Sequence, residues 1–302
     1  MTSLAQIEAQ ESLERQYSRK HIDGYIRDSI TQNPVMQAKM EQGVVMIQNY
    51  MNQDYYASKN ARIEQLKPLD IPALVLTIFT GIAYCLREEL FTSVTAQLAS
   101  RLKFSDKTAA ITTVAELVAV LCNTDAFDIN KANKGASLMI KSLIPLEGWL
   151  VRYIENSRYL PPMICEPLEV NNNYSSGYLT HNDSLILGTG NHHDGDLCLD
   201  ILNTVNRVQL KLDTQFLCTV EEAPTFEMET PEQVDQWKEF KRQSYEFYTL
   251  IAKSGNTFWL THKVDKRGRI YAQGFHISTQ GNPFKKASIE LAQEELVTGV
   301  PA

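Results

Sequence analysis

Phosphate recognition is the chemistry that best fits Asp265-Lys266-Arg267-Gly268-Arg269-Ile270-Tyr271, which is followed nine residues after the tyrosine by Gln280-Gly281-Asn282-Pro283 and then Lys285-Lys286. Arg267 and Arg269 carry planar guanidinium forks matched to phosphate oxygens. Gly268 between them admits a positive φ and leaves no side chain where another backbone must approach. Asp265 can accept from a neighbouring arginine or backbone amide and hold a turn. In an extended stretch Arg267 and Arg269 share one face, and Tyr271 joins them beside a sugar-phosphate chain. Asn282-Pro283 leads into a helix whose free N–H groups, with Lys285 and Lys286, suit a second phosphate.

The charge distribution supports this reading although the chain total is −7. From Trp237 to Lys286 there are ten basic residues and three acids, a local +7, which leaves −14 on the remainder. A local basic face, and not the chain average, sets affinity for phosphates. A competing cluster is His192-His193-Asp194-Gly195-Asp196, whose imidazoles and carboxylates are metal-ligand types. Adjacent histidines in a strand point to opposite faces and no third spaced ligand set is evident, so a loop with incidental His and Asp is the simpler reading. A metallohydrolase built on it is the weakest function class.

The elements that must position these residues follow from periodicity and punctuation. Leu4 to about Ile30 reads as a polar helix without the basic, apolar character of a leader. Asn33-Pro34 is a cap with proline at the first helical position, and Met36, Met40, Val44, Ile47 and Met51 then mark one helical face. Ile71 to Leu86, at 16 residues, is short for a membrane span and reads as a buried helix. Thr113-x-x-Glu116 resembles a capping box, and Leu138 to Ile154 is expected to continue helically, interrupted near Pro145. Asp125 and Asp128 read as turn residues. The proline-rich stretch Leu160–Pro167 must be extended, and Asn171–Gly195 reads as loops with short strands. Helix is expected again from Leu197, with Ile201, Val205, Val208, Leu212 and Phe216 on one face. A second helix should start at Thr230-Pro231-Glu232-Gln233, burying Trp237, Phe240, Phe247 and Ile251, the two forming an antiparallel pair. Strand-like sequence begins at Thr257. Five scattered cysteines with no CxxC indicate a reducing compartment and neither a disulfide framework nor a zinc site.

The pattern D-x-R-G-R-x-Y followed by Q-G-N-x-x-x-K resembles the DxxGR element of the single-subunit, phage- and mitochondrial-type DNA-directed RNA polymerases. The similarity extends to the order of the parts, with a helical N-terminal region, a proline-containing connection ending in Gly177-Tyr178, a helical thumb and the first palm strands. It is strong over residues 159–292 and weaker before that. The expected fold is therefore mainly α with a small β portion (α+β). Its parts are a helical N-terminal domain (1–158), an extended connection (159–195), a thumb-like helical pair (196–253) and the start of a palm (254–302). The resemblance implies that Arg269 contacts the template near the active centre, that Asp265 and Tyr271 shape that surface and that Lys286 faces the hybrid, with Arg267, Gly268, Asn282 and Lys285 completing the expected nucleic-acid-binding residues. Lys238, Lys241 and Arg242 would grip the heteroduplex from the thumb.

No acid here falls in the family's pattern of metal-binding aspartates. The resemblance therefore implies no catalytic residue in this chain, with Mg²⁺ held by a second polymerase subunit that carries the fingers and the rest of the palm. The expectation is the N-terminal subunit of a split, heterodimeric phage RNA polymerase, inactive as an isolated chain and working in the cytoplasm of an infected bacterial host. DNA template and RNA transcript are its partners, together with a single-stranded-DNA-binding or activator protein, and there is no membrane association. The alternative is a non-catalytic nucleic-acid-binding or transcription-regulating module derived from such a polymerase.

Overall fold

In chain order the computed structural model contains α1 (Leu4–Tyr17), α2 (Arg19–Gln32), α3 (Pro34–Met51), α4 (Ala57–Glu64), α5 (Ile71–Ile82), β1 (Glu89–Leu90), α6 (Phe91–Ala99), α7 (Lys107–Leu121), β2 (Phe127–Lys131), β3 (Leu138–Ser142) and α8 (Gly148–Asn156). There follow α9 (Leu199–Asn206), β4 (Leu210–Leu212), α10 (Thr214–Thr219), α11 (Pro231–Lys253), β5 (His262–Val264), β6 (Ile270–Ala272), α12 (Pro283–Ala287) and β7 (Ile289–Leu291). The structure describes residues 3–101, 104, 106–132, 137–157, 159–188, 191–293 and 299. With 51% helix against 10% strand in small antiparallel sheets, the fold is mainly α with a small β portion, as the sequence predicts. Among the described residues no helix is long and apolar enough to cross a membrane. The chain divides into two compact units, Arg19–Asn156 and a second made of Met1–Ser18 with Ser157–Ala302.

The first unit is helical around one core. Ile22, Ile26 and Ile30, each one turn after the last, are all fully buried on α2. α3 starts as expected, since Asn33 Oδ1 accepts from the backbone N–H groups of Val35 (2.9 Å) and Met36 (3.2 Å) ahead of Pro34. Its Met36–Met51 stripe faces the core. Gly43 allows α3 close to α7, because a Cβ there would meet Leu121 Cδ2 at 2.8 Å.

Two local expectations are overturned in this unit. Thr113 caps nothing: it lies inside α7, whose N-cap is Asp106, accepting from the Ala109 N–H at 2.6 Å. Thr113 Oγ1 donates to the Ala109 carbonyl, and Glu116 pairs with Arg62 (2.7 Å) and Lys59 (3.2 Å). The T-x-x-E spacing acts as a cap only where the preceding chain is not helical, and Lys107 to Ile111 is helical. Residues 138–142 are strand β3, antiparallel to β2 (Ile129 opposite Ile140) and to β1 (Glu89 opposite Ile140), and helix resumes only at Gly148. A short apolar run satisfies either period, and two available strand neighbours decide it. Asp125 does turn the chain, at φ 55°, whereas Asp128 sits within β2.

The second unit joins α1 to everything after residue 156. Leu13 packs with Ile164, Leu210, Phe247, Ile251 and Phe258. The proline stretch is extended, and Met163 exchanges backbone hydrogen bonds with Trp259 (3.0 and 2.8 Å). The sequence misreads one part of this unit. The stretch from Leu197 to Phe216 is no long helix but α9, β4 and α10 in succession, and Ile201 is exposed while Leu202 carries the burial. Leu210 and Leu212 are drawn into pairing with β7 and with Phe258, and Asn256 brackets Leu212 by donating to its carbonyl (2.9 Å) and accepting from its N–H (3.1 Å). The expected antiparallel pair is thus one long helix, α11, which starts where predicted and does so through a capping box of Thr230 and Gln233. At 23 residues it extends roughly 34 Å.

Candidate nucleic-acid interface

The strands β5 and β6 form a hairpin with Val264 opposite Ile270 and Lys263 opposite Tyr271. Its loop reverses at Asp265–Gly268: the Gly268 N–H donates to the Asp265 carbonyl and the Asp265 N–H to the Arg269 carbonyl, both at 2.9 Å. Gly268 has φ +84°, the left-handed conformation that closes such a turn. Nothing lies within 4 Å of where its Cβ would be, so conformation and not space calls for glycine.

Asp265 organises the loop. Its Oδ1 accepts from the backbone N–H groups of Arg267 (2.8 Å) and Arg269 (3.0 Å), and its Oδ2 accepts from the Arg267 guanidinium (2.8 and 3.0 Å) and the Tyr271 hydroxyl (3.3 Å). The Arg269 N–H, then the Arg267 side chain, push its carboxyl down to about 2. A depressed carboxyl stabilises the folded turn above its ordinary 3.8, and that contribution is lost as pH falls through about 2. An NMR titration of the Asp265 carboxyl carbon is therefore expected to show a midpoint near 2; a midpoint at the ordinary value would mean the turn does not form.

This geometry changes the roles of the two arginines. The stretch is not extended, so Arg267 and Arg269 do not act as a matched pair: Arg267 folds back onto Asp265. Arg269, Lys266 and Lys286 are exposed, and none of the three side chains has an ion-pair or hydrogen-bond partner among the described residues. Arg269 is thus the guanidinium the hairpin presents, its backbone fixed by the carboxylate it might otherwise have paired with.

The Gln-Gly-Asn segment proves to be a brace. Gln280 extends the ladder of β6 with its side chain, accepting from the Ala272 N–H (3.0 Å) and donating to the Ile270 carbonyl (3.1 Å). Gly281 leaves room for the Lys285 stem, which a Cβ would meet at 2.7 Å. Asn282 is the N-cap of α12, accepting from the Lys285 N–H (2.9 Å) and donating to Glu222 (2.7 Å). Asn282 therefore fills the helix start that the sequence reading offers to a phosphate. Lys285 is buried, donating to the Phe275 carbonyl, and burial lowers its pKa. It faces the interior and is not offered to a strand passing over the surface.

On α11 each of the three cations expected to grip a heteroduplex has an acidic neighbour: Lys238 with Asp235 (3.5 Å), Lys241 with Glu221 (3.2 Å), and Arg242 with Glu239 (2.6 Å) and Glu246. Apart from the half-buried Lys241, these are exposed pairs of little net strength, which a phosphate can displace. In the histidine loop, Asp194 accepts from Tyr174 (2.7 Å), and the carbonyls of His193 and Gly195 accept from Asn173. No group of three or more His, Cys, Asp or Glu side chains comes together among the described residues, so these residues do not fit a Mg²⁺ site.

Sequence reasoning missed Gln10 and Glu14 of α1. Gln10 accepts from the Ile164 N–H (2.9 Å), and the fully buried Glu14 accepts from the N–H groups of Leu179 (2.9 Å) and Thr180 (2.8 Å) and from the Thr180 hydroxyl (2.6 Å). A buried glutamate on a polar helix carries no sequence signal that separates it from its exposed neighbours.

No family model matches the chain. Over 144 residues it is 28% identical to a protein named Probable DNA-directed RNA polymerase from Gelasinospora sp. (strain G114), a stretch covering 43% of this chain and 17% of that protein. The chain is thus related to a DNA-directed RNA polymerase, at a distance.

Proposed function

We propose that this chain is a subunit of a heterodimeric phage DNA-directed RNA polymerase, a nucleotidyltransferase, and that it supplies the thumb helix and the template-contacting hairpin. One observation carries the reading. The hairpin commits its acid and one arginine to its own turn and holds a second arginine free on a rigid base. That is how a phosphodiester contact is preorganised. The distant relationship to an RNA polymerase supports the same assignment.

In this proposal Arg269 takes a template phosphate, with Lys266 and Lys286 flanking the same strand, and α11 lies along the hybrid. In the same proposal Mg²⁺ and its aspartate ligands belong to the partner subunit. The setting is the cytoplasm of an infected bacterium, with a strand-separating or activator protein at the promoter.

The test is fluorescence anisotropy with a labelled single-stranded template and an RNA–DNA hybrid across a salt series. Three phosphate contacts give a slope of log affinity against log salt of roughly −2 on a single strand. A slope near zero would remove the nucleic-acid reading. RNA synthesis by the purified chain without any other polypeptide would remove the heterodimer.

A further inference from the structure

A cavity of about 310 Å³ opens in the second unit where α11, α12 and the segment before α11 meet. That is the lower end of small-molecule sites, roughly 300–1,000 Å³, with room for one ring system and not for a duplex. Trp237 and Phe240 line one wall with their rings nearly parallel (centroids 5.1 Å apart, 18°), and Phe226 stands edge-on to Trp237 (6.3 Å, 88°).

Two charges share this lining, Glu222 at 8% exposure and Lys285 at 9%. They make no ion pair with each other. Lys285 Nζ donates to the Phe275 carbonyl and lies 4.7 Å from the Phe275 ring centre and 5.3 Å from that of Phe240. One Glu222 oxygen accepts from Asn282 (2.7 Å), and the other has no hydrogen-bond partner among the described residues. Each group keeps hydrogen-bonding capacity beyond these contacts, and the second Glu222 oxygen is not among the buried unpartnered atoms of the described residues, so a ligand offering a donor to one and an acceptor to the other would engage both. Aromatic walls restrict that ligand to a flat ring. Phenylalanine and tryptophan side chains have no such donor–acceptor edge, whereas a nucleobase has.

We propose that this cavity receives one unpaired nucleobase bearing an exocyclic amino group, from the single strand that Arg269 contacts. The ring lies against Trp237, the amino group donates to Glu222, and the adjacent ring nitrogen or carbonyl accepts from Lys285. Cytosine, adenine and guanine offer that edge; thymine and uracil offer only an imide N–H set between two carbonyl oxygens, one of which would face the Glu222 carboxylate. The inference rests on the proposed function, because it takes the strand to be template or transcript.

The experiment compares labelled oligo(dC), oligo(dT) and an abasic tract of equal length, binding to the full chain in its assembled form by anisotropy. Wild type is expected to prefer oligo(dC) over oligo(dT) by roughly tenfold, the scale of one hydrogen bond to a charged group. Glu222→Gln, which keeps an oxygen for Asn282, should abolish that preference. Trp237→Ala should weaken both base-bearing tracts by roughly tenfold and leave the abasic tract unchanged, and Trp237→Phe should restore most of the loss. Arg269→Ala should weaken all three, including the abasic tract. Equal wild-type affinity for dC and dT, or a Trp237→Ala loss that is as large on the abasic tract, overturns the base pocket. If only Arg269→Ala has an effect, the pocket fails and the polymerase reading stands; if no variant has any effect, both fail.

Discussion

In the proposed polymerase, Arg269→Ala is expected to reduce RNA synthesis by about one to two orders of magnitude while leaving assembly intact. A hydrogen bond to a charged group contributes about 1.5–3 kcal/mol, and the hairpin leaves the Arg269 guanidinium nothing else to bind. Its backbone N–H, held by Asp265 at 3.0 Å, is unaffected by the substitution, so the turn should survive it. Arg269→Lys should recover only part of the activity, since an ammonium cannot form the bidentate fork. Lys238→Ala should change activity about twofold or less, because that exposed cation already has Asp235 at 3.5 Å. Arg267→Ala separates geometry from contact: it should loosen the turn and move the Asp265 titration upwards while costing less activity than Arg269→Ala. The measurement is primer extension by the reconstituted pair, with assembly followed by gel filtration. Equal, small effects at Arg269 and Lys238 would make the hairpin an ordinary surface turn and favour a non-catalytic regulatory module.

Glu14→Ala is expected to destabilise the second unit by about 2–4 kcal/mol. The carboxylate is fully buried and accepts from two backbone N–H groups and a hydroxyl in the Leu179–Thr180 loop, and Gln10 donates to it at 2.9 Å. Removing it strands several part-buried donors at once, and each unsatisfied donor costs about 1–3 kcal/mol. Glu14→Gln should fall between, because one amide oxygen can serve some of those donors while its NH₂ faces others. Urea unfolding followed through the buried Trp259 fluorescence, which lies in this unit, reads the effect. A midpoint within experimental error of wild type for Glu14→Ala would show that α1 is not anchored there. The result bears on function because the loop Glu14 holds is contiguous with Tyr178, whose hydroxyl accepts from Thr261 (3.1 Å) one residue before β5.

The sequence by itself determined the features that depend on neighbours close in the chain. Asn33-Pro34 and Thr230-Pro231-x-Gln233 start helices because their caps act over two or three residues, and both are found in place. The methionine stripe of α3 is buried because its spacing matches one helical face. A positive φ at Gly268 follows from the residue type, although the extended course read for its neighbours gives way to a hairpin turn. Tertiary structure decided whatever hinged on distant partners. Leu138–Ser142 and Leu210–Leu212 are strands because β2 and β7 offer them open edges, and no local periodicity could choose between that and helix. Which arginine is free was equally hidden: extended spacing makes Arg267 and Arg269 equivalent, and the turn gives one to Asp265 and the other to solvent. Asn282 and Lys285 read as phosphate ligands until Glu222, sixty residues before the asparagine, and the Phe275 carbonyl claim them. The physical reason is common to all of these. Helix caps and turns form within a few residues, whereas strand pairing and the fate of a charge depend on which surfaces the folded chain brings together.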